Sequence, residues 1–190
     1  MNTPAHLVVN LALLAGGTRR RHLAWVAGGA VLPDLGMFGF FAYQYYVART
    51  PMLTIWDERY FDPAWQLFFD LWNALPLLLL GLVVASYKRR EVWMLFFASA
   101  ILHVLLDLPV HREDGHRHLW PLSDWRFMSP VSYWDPAHGG ALGSLLELLL
   151  IAAASLVLWR RHRSRAPRTA LALYNIAKLV TWLGFYGPRL

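Results

Sequence analysis

His103 and Asp107 in "HVLLD" are four positions apart. On a helix that spacing puts both side chains on one face, roughly 6 Å apart along the axis, so both can reach one ion. His111 continues the series, although Pro109 disfavours helical geometry at Leu108 and predicts that the helix ends there. His6, Asp34 and Asp70 are further imidazole and carboxylate groups inside apolar runs. The chain has no cysteine, so any metal must be held by nitrogen and oxygen ligands. Such a donor set suits zinc first, with manganese or iron as alternatives.

The elements that must position these groups are apolar. Hydrophobic residues make up 57% of the 190 positions, charged residues only 16%, and the mean hydropathy is +0.34. Apolar runs cover approximately 5–17, 23–47, 64–86, 91–110, 141–159 and 169–186. A helix needs about 20 such residues to cross the hydrocarbon core, and four of the runs meet that readily. The first is short and the last carries Asn175 and Lys178, so those two are read as spanning, tilted or interfacial. The expectation is an all-α, polytopic transmembrane helical bundle of about six helices, with four or five as alternatives. Residues 1–190 then form a single integral membrane domain, with outer loops at 48–63 and 111–140.

Basic residues orient the bundle. Arg19–Arg21, Lys88–Arg90 and the group Arg160, Arg161, Arg163, Arg165 and Arg168 contribute 3, 3 and 5 of the 18 Lys and Arg. They fall in alternate connections, which the positive-inside rule places in the cytoplasm. Trp25, Trp93 and Trp159 lie at the inner ends, and Trp56, Trp65, Trp120, Trp125 and Trp134 at or beyond the outer ends, as interfacial belts do. The histidine-rich loop then faces outward. "MNTPAH" lacks a basic leader and the arginines follow the apolar run, so the first segment reads as a retained helix rather than a cleaved signal. The net charge of +6 is confined to these clusters, which argues against nucleic acid as a partner.

Ionisable side chains within a membrane are costly unless paired, hydrated or metal-bound, and so mark function. His6, Asp70, His103 and Asp107 all fall in the outer half of their runs, and Asp34 follows Pro33 at a place where the second run is expected to break. A structural His103–Asp107 pair capping the bundle is the competing reading. Within 111–140, Glu113, Asp114, His116, His118, Asp124, Asp135 and His138 are interleaved with aromatics, either as a pocket wall or as a solvated connector. Glu147, on an apolar face, is matched to Lys178 as a structural pair.

"TPAH" at the start, "PDL" in the second run and "HVLLD" ending a later one resemble the bacterial inner-membrane family of metal-dependent hydrolases known as YdjM-like. The resemblance covers most of the first 110 residues as short spaced motifs. It implies that His6, Asp34, His103 and Asp107 hold a divalent metal. The family's central "HRGxTHS"-type motif is replaced here by "FFDLWNALP", which leaves Asp70 and Asn73. The stretch "HREDGHRHLWPLSDWRFMSPVSYWDPAHGG" is similar to a short-chain subgroup that carries a loose cobalamin-biosynthesis label. No cysteine nucleophile and no phosphate-binding glycine loop supports that activity.

A metal on those four residues would acidify bound water and polarise a carbonyl or phosphoryl group, with Asp70, His111 or His118 as base or proton donor. A site opening at the outer leaflet of the bacterial inner membrane would face the periplasm and receive a lipid, a lipid-linked precursor or an envelope ester. The rival readings are a metal or proton transport component and a structural scaffold. Transport requires polar residues through to the inner side, and the inner halves of the third and fourth runs, "LPLLLLGLVVAS" and "VWMLFFASAI", are apolar.

Overall fold

A computed structural model describes residues 1–189, and among them all regular structure is helical. Helix α1 (Thr3–Leu14) starts where the Asn2 side chain accepts a hydrogen bond from the Ala5 amide at 3.1 Å, with Pro4 in the first turn where its missing N–H costs nothing. Helices α2 (Leu23–Val31) and α3 (Leu35–Ala42) follow, then the short α4 (Met52–Asp57), α5 (Pro63–Asn73), α6 (Leu75–Tyr87), α7 (Glu91–Asp107), α8 (Gly140–Arg161) and α9 (Arg165–Tyr186). Three helical stretches are long and apolar enough to cross a membrane: Gly17–Val47, Pro63–Tyr87 and Gly140–Arg161. Helix α1 is apolar but has only 12 residues, and α7 has 17. These features fit a membrane protein.

The expected break at Pro33 does not occur. Leu32–Asp34 tightens into one 3-10 turn and the helical run continues through to Val47, because Pro33 sits in the first turn of that segment. The interruption falls instead in the next stretch, at Ala74, whose backbone is extended (ψ 103°) between α5 and α6. Pro76 opens α6, and Asn73 caps the gap by donating to Phe69 O at 3.0 Å and Pro33 O at 3.3 Å. The Leu75 amide, freed by the break, donates to His118 O at 2.8 Å, so the outer loop is stitched onto the discontinuity.

Helix α7 is central, packed against α1, α2 and α6, while α1 also contacts α8 and α8 contacts α9. The three basic clusters share one end of the bundle: Arg21 reaches Glu91 at 3.2 Å, and Arg161 donates to Ala12 O at 2.6 Å. Trp25 and Trp93 meet edge to face at that end, their ring centroids 4.8 Å apart. At the opposite end the Tyr60 hydroxyl donates to Asp114 O, which ties 48–63 to 111–140.

Helices α2 and α7 approach closely at Gly29. A Cβ there would lie 2.0 Å from Phe96 O and 2.8 Å from Ser99 Cβ on α7. Alanine would gain up to about 1 kcal/mol in helix propensity, but the overlap is with backbone and cannot be relieved by a rotamer change. Gly29→Ala is therefore expected to destabilise by a net ~1–3 kcal/mol, read as a lower melting temperature in detergent. An unchanged melting temperature would mean that α2 and α7 are not so closely packed.

Candidate metal centre

The N-cap at Asn2 fixes the first turn of α1 so that His6 points into the bundle, fully buried. On α7 the four-residue spacing brings His103 and Asp107 to the same place. His6 and His103 stack with ring centroids 3.5 Å apart and planes within 11°. His6 Nε2 lies 2.9 Å from Asp107 Oδ1, and His103 Nε2 lies 3.0 Å from Asp107 Oδ2. One ligand atom from each of the three residues lies within 4.8 Å of the others, a spacing that could hold a metal ion.

Donor chemistry supports the fit. His103 Nδ1 lies 2.6 Å from the carbonyl of Ala30, and only an N–H can satisfy that contact. Held in this tautomer, neutral His103 presents a bare Nε2 lone pair to two carboxylates, Asp107 and Asp34, the latter at 3.6 Å. Lone pair against carboxylate is repulsive, so a cation or a proton belongs between them. His6 Nδ1 and His103 Nε2 are both buried without a hydrogen-bond partner of good geometry. A backbone carbonyl on the far ring nitrogen is the usual way of orienting a metal-binding imidazole.

Of the four residues expected as ligands, the structure brings His6, His103 and Asp107 together and sets Asp34 at the edge, where it accepts a hydrogen bond from the Thr3 hydroxyl. Of the three expected to move protons, His111 is beside the cluster, 3.3 Å from Asp107 and 2.9 Å from Asp114. Burial opposes a charge on His111, but the Asp107 carboxylate, helped by Asp114, carries its pKa up to about 9. Its Nδ1 lies against the Asp114 carboxylate and its Nε2 against the Met1 ammonium, so Nδ1–H donates and Nε2 can accept. Asp70 and His118 lie apart from the cluster. Asp70, fully buried, accepts from the Arg117 backbone N–H at 2.8 Å and from Arg117 Nε at 2.5 Å. His118 is buried under the loop, and burial lowers its pKa.

Several partners had no signal in side-chain spacing. The Met1 ammonium is ion-paired with Asp107 and lies 3.1 Å from His111 Nε2. Asn2 is tethered twice, its amide donating to Glu147 Oε1 at 3.0 Å and its Oδ1 accepting from the Tyr174 hydroxyl at 2.9 Å. Glu147 also meets Lys178 at 3.0 Å, the pairing expected from sequence. Glu147→Ala should cost about 2 kcal/mol, discounted from the value for a fully buried pair because Lys178 is one-fifth exposed. Converting both residues to leucine should recover most of that loss in thermal melts, whereas no recovery would show that the tether to Asn2 carries the effect.

Above the cluster a cavity of about 1110 Å³ opens towards the outer loops. Asp34, Asp107, His111 and His116 mark its polar floor, and Leu7, Val31, Met37, Phe38, Phe61 and Phe69 supply apolar wall. Burial drives the pKa of His116 down to about 3, helped by His111 and His118, so this imidazole is neutral. Comparison with protein families, curated proteins and solved structures returns no match for this chain.

Below the cluster the polar residues continue for one helical turn and then stop. Asn10 donates to Ser99 Oγ at 2.9 Å and to Ser99 O at 2.8 Å, and Ser99 donates to Val26 O at 2.7 Å. Next comes an apolar layer of Ala15, Val26 and Leu95, all buried.

Proposed function

We propose that this protein is a metal-dependent hydrolase of the bacterial inner membrane, crossing it six times, with its site facing the periplasm. Helices α1, the continuous α2–α3 run, the interrupted α5–α6 pair, α7, α8 and α9 make the passes. The three basic clusters at one end support a cytoplasmic inner face through the positive-inside rule. The substrate is a lipid, a lipid-linked precursor or an envelope ester or phosphoester. The observation that carries this reading is the buried His6–His103–Asp107 group at the floor of an apolar-walled cavity.

His6, His103 and Asp107 would hold the ion, zinc by donor type, with Asp34 within reach as a further carboxylate. Bound there, the metal would supply Lewis acidity and a lowered water pKa. The chain's own residues do the rest. Ala30 O fixes the His103 tautomer, Thr3 orients Asp34, and His111 stands at the cavity floor where it can exchange a proton with a departing oxygen. The apolar wall admits acyl chains and excludes bulk water. The apolar layer under Asn10 and Ser99 supports a one-sided site over a transport route.

The test is metal analysis of the detergent-purified protein, followed by product analysis on a panel of phospholipids and acyl esters with the metal-loaded form. Near-stoichiometric zinc and release of one product class are expected. Metal without any product across the panel would count against hydrolysis.

A further inference from the structure

Two carboxylates at the cavity have no hydrogen-bond or ion-pair partner among the described residues: Asp57 and Glu113. Most other acidic side chains are taken up, Asp62 by Arg59, Asp70 and Asp124 by Arg117, Glu91 by Arg21 and Glu147 by Lys178. No Lys or Arg lines this cavity, and the Met1 ammonium is spent on Asp107. Arg126 acts on Tyr60 from outside the lining, so the two carboxylates face the cavity without a cationic side chain in its wall.

Aromatic rings line the same cavity as these carboxylates. Trp56 precedes Asp57 in the chain and meets Tyr60, their ring centroids 6.0 Å apart, Tyr60 itself being buried and stacked on Phe69, and Trp134 lines the cavity with Glu113. The two walls are joined at Asp114, whose backbone carbonyl accepts from Tyr60 and whose carboxylate accepts from Trp134 Nε1 at 3.1 Å. Aromatic faces together with free carboxylates attract an organic ammonium by cation–π and Coulomb forces and repel a second anion. The remaining wall is apolar and leads down to the candidate metal centre.

We propose that the cavity selects an amphiphile with an ammonium-bearing headgroup, held by Trp56, Asp57, Glu113 and Trp134, with its chains along the apolar wall. This rests on reading the cavity as the substrate pocket of the hydrolase. Phosphatidylcholine and phosphatidylglycerol with identical acyl chains differ in the ammonium and share the phosphate, so they isolate the headgroup.

Native mass spectrometry of the full chain in maltoside detergent, treated with chelator and offered both lipids at equal concentration, measures the choice without turnover. About tenfold preferential retention of the choline lipid is expected. Asp57→Asn combined with Glu113→Gln should bring the ratio close to one, and Glu113→Lys alone should favour the glycerol lipid. Both positions are exposed, so the fold should persist, checked by helical circular dichroism. Equal retention by the unaltered protein, or a preference that survives the double substitution, would overturn the proposal. Displacement by free choline chloride would also overturn it, because the occupant would then be a soluble amine. Because the readout needs no metal, a failure of hydrolysis and a failure of headgroup selection are separately visible.

Discussion

Replacing His103 by alanine is expected to abolish stoichiometric metal binding, with at least a 100-fold loss of affinity. Outer partners of a metal-binding histidine are already worth about 10–100-fold, and a direct ligand among only three contributes more. Stability should also fall, because the Ala30 carbonyl would be left buried without its donor, at a cost of about 1–3 kcal/mol. Asp107→Asn separates the two effects, since it keeps the side-chain shape but removes the charge shared by His6, His103, His111 and the Met1 ammonium. The wild type at a metal concentration 1,000-fold above its dissociation constant should gain about 4 kcal/mol, visible as a rise in melting temperature. Neither variant should show that rise. If both variants, folded by circular dichroism, retained wild-type metal content, His6, His103 and Asp107 would not be the metal centre.

The second large effect is expected at Asp70. Its carboxylate is fully buried and doubly bonded to Arg117, and losing it should cost about 2–3 kcal/mol, discounted from the value for a fully buried pair because Arg117 is nearly one-quarter exposed. Asp70→Ala should therefore release the 111–135 segment, increasing its hydrogen exchange and proteolysis, while His6, His103 and Asp107 still bind metal. Arg117→Ala should act in the same direction, and the double substitution should be little worse than either single one. A base would behave differently: Asp70→Asn would then eliminate turnover with the loop still protected, and Arg117→Ala would have the milder effect.

Apolar periodicity and charge made much of this architecture legible. The six apolar runs all fall on helical stretches, three of them long and apolar enough to cross a membrane, while the short α4 lies outside every run. The spacing of His103 and Asp107 carried half of the site, since helix geometry is local. His6 joined them only through the bundle, and its apolar surroundings were the single clue. Pro33 misled because a proline in the first turn of a helical segment is not a break, while the real discontinuity at Ala74 is marked by little more than the following Pro76. Backbone partners such as Ala30 O, and the clamp on Asp70, depend on tertiary approach and leave no pattern in residue types.

His6 and Asp107 are 101 positions apart, on the first helix and at the end of the seventh. During synthesis the N-terminal ligand must therefore wait, already inserted, until most of the chain has been made. The tether of Asn2 to Glu147 comes later still, on α8. An ion captured at this centre would lock together helices that had no earlier means of recognising one another. Metal loading would then work as a proofreading step in biogenesis: chains that mis-inserted a helix would have no complete set of ligands, and quality-control proteases would meet the loosest bundles first.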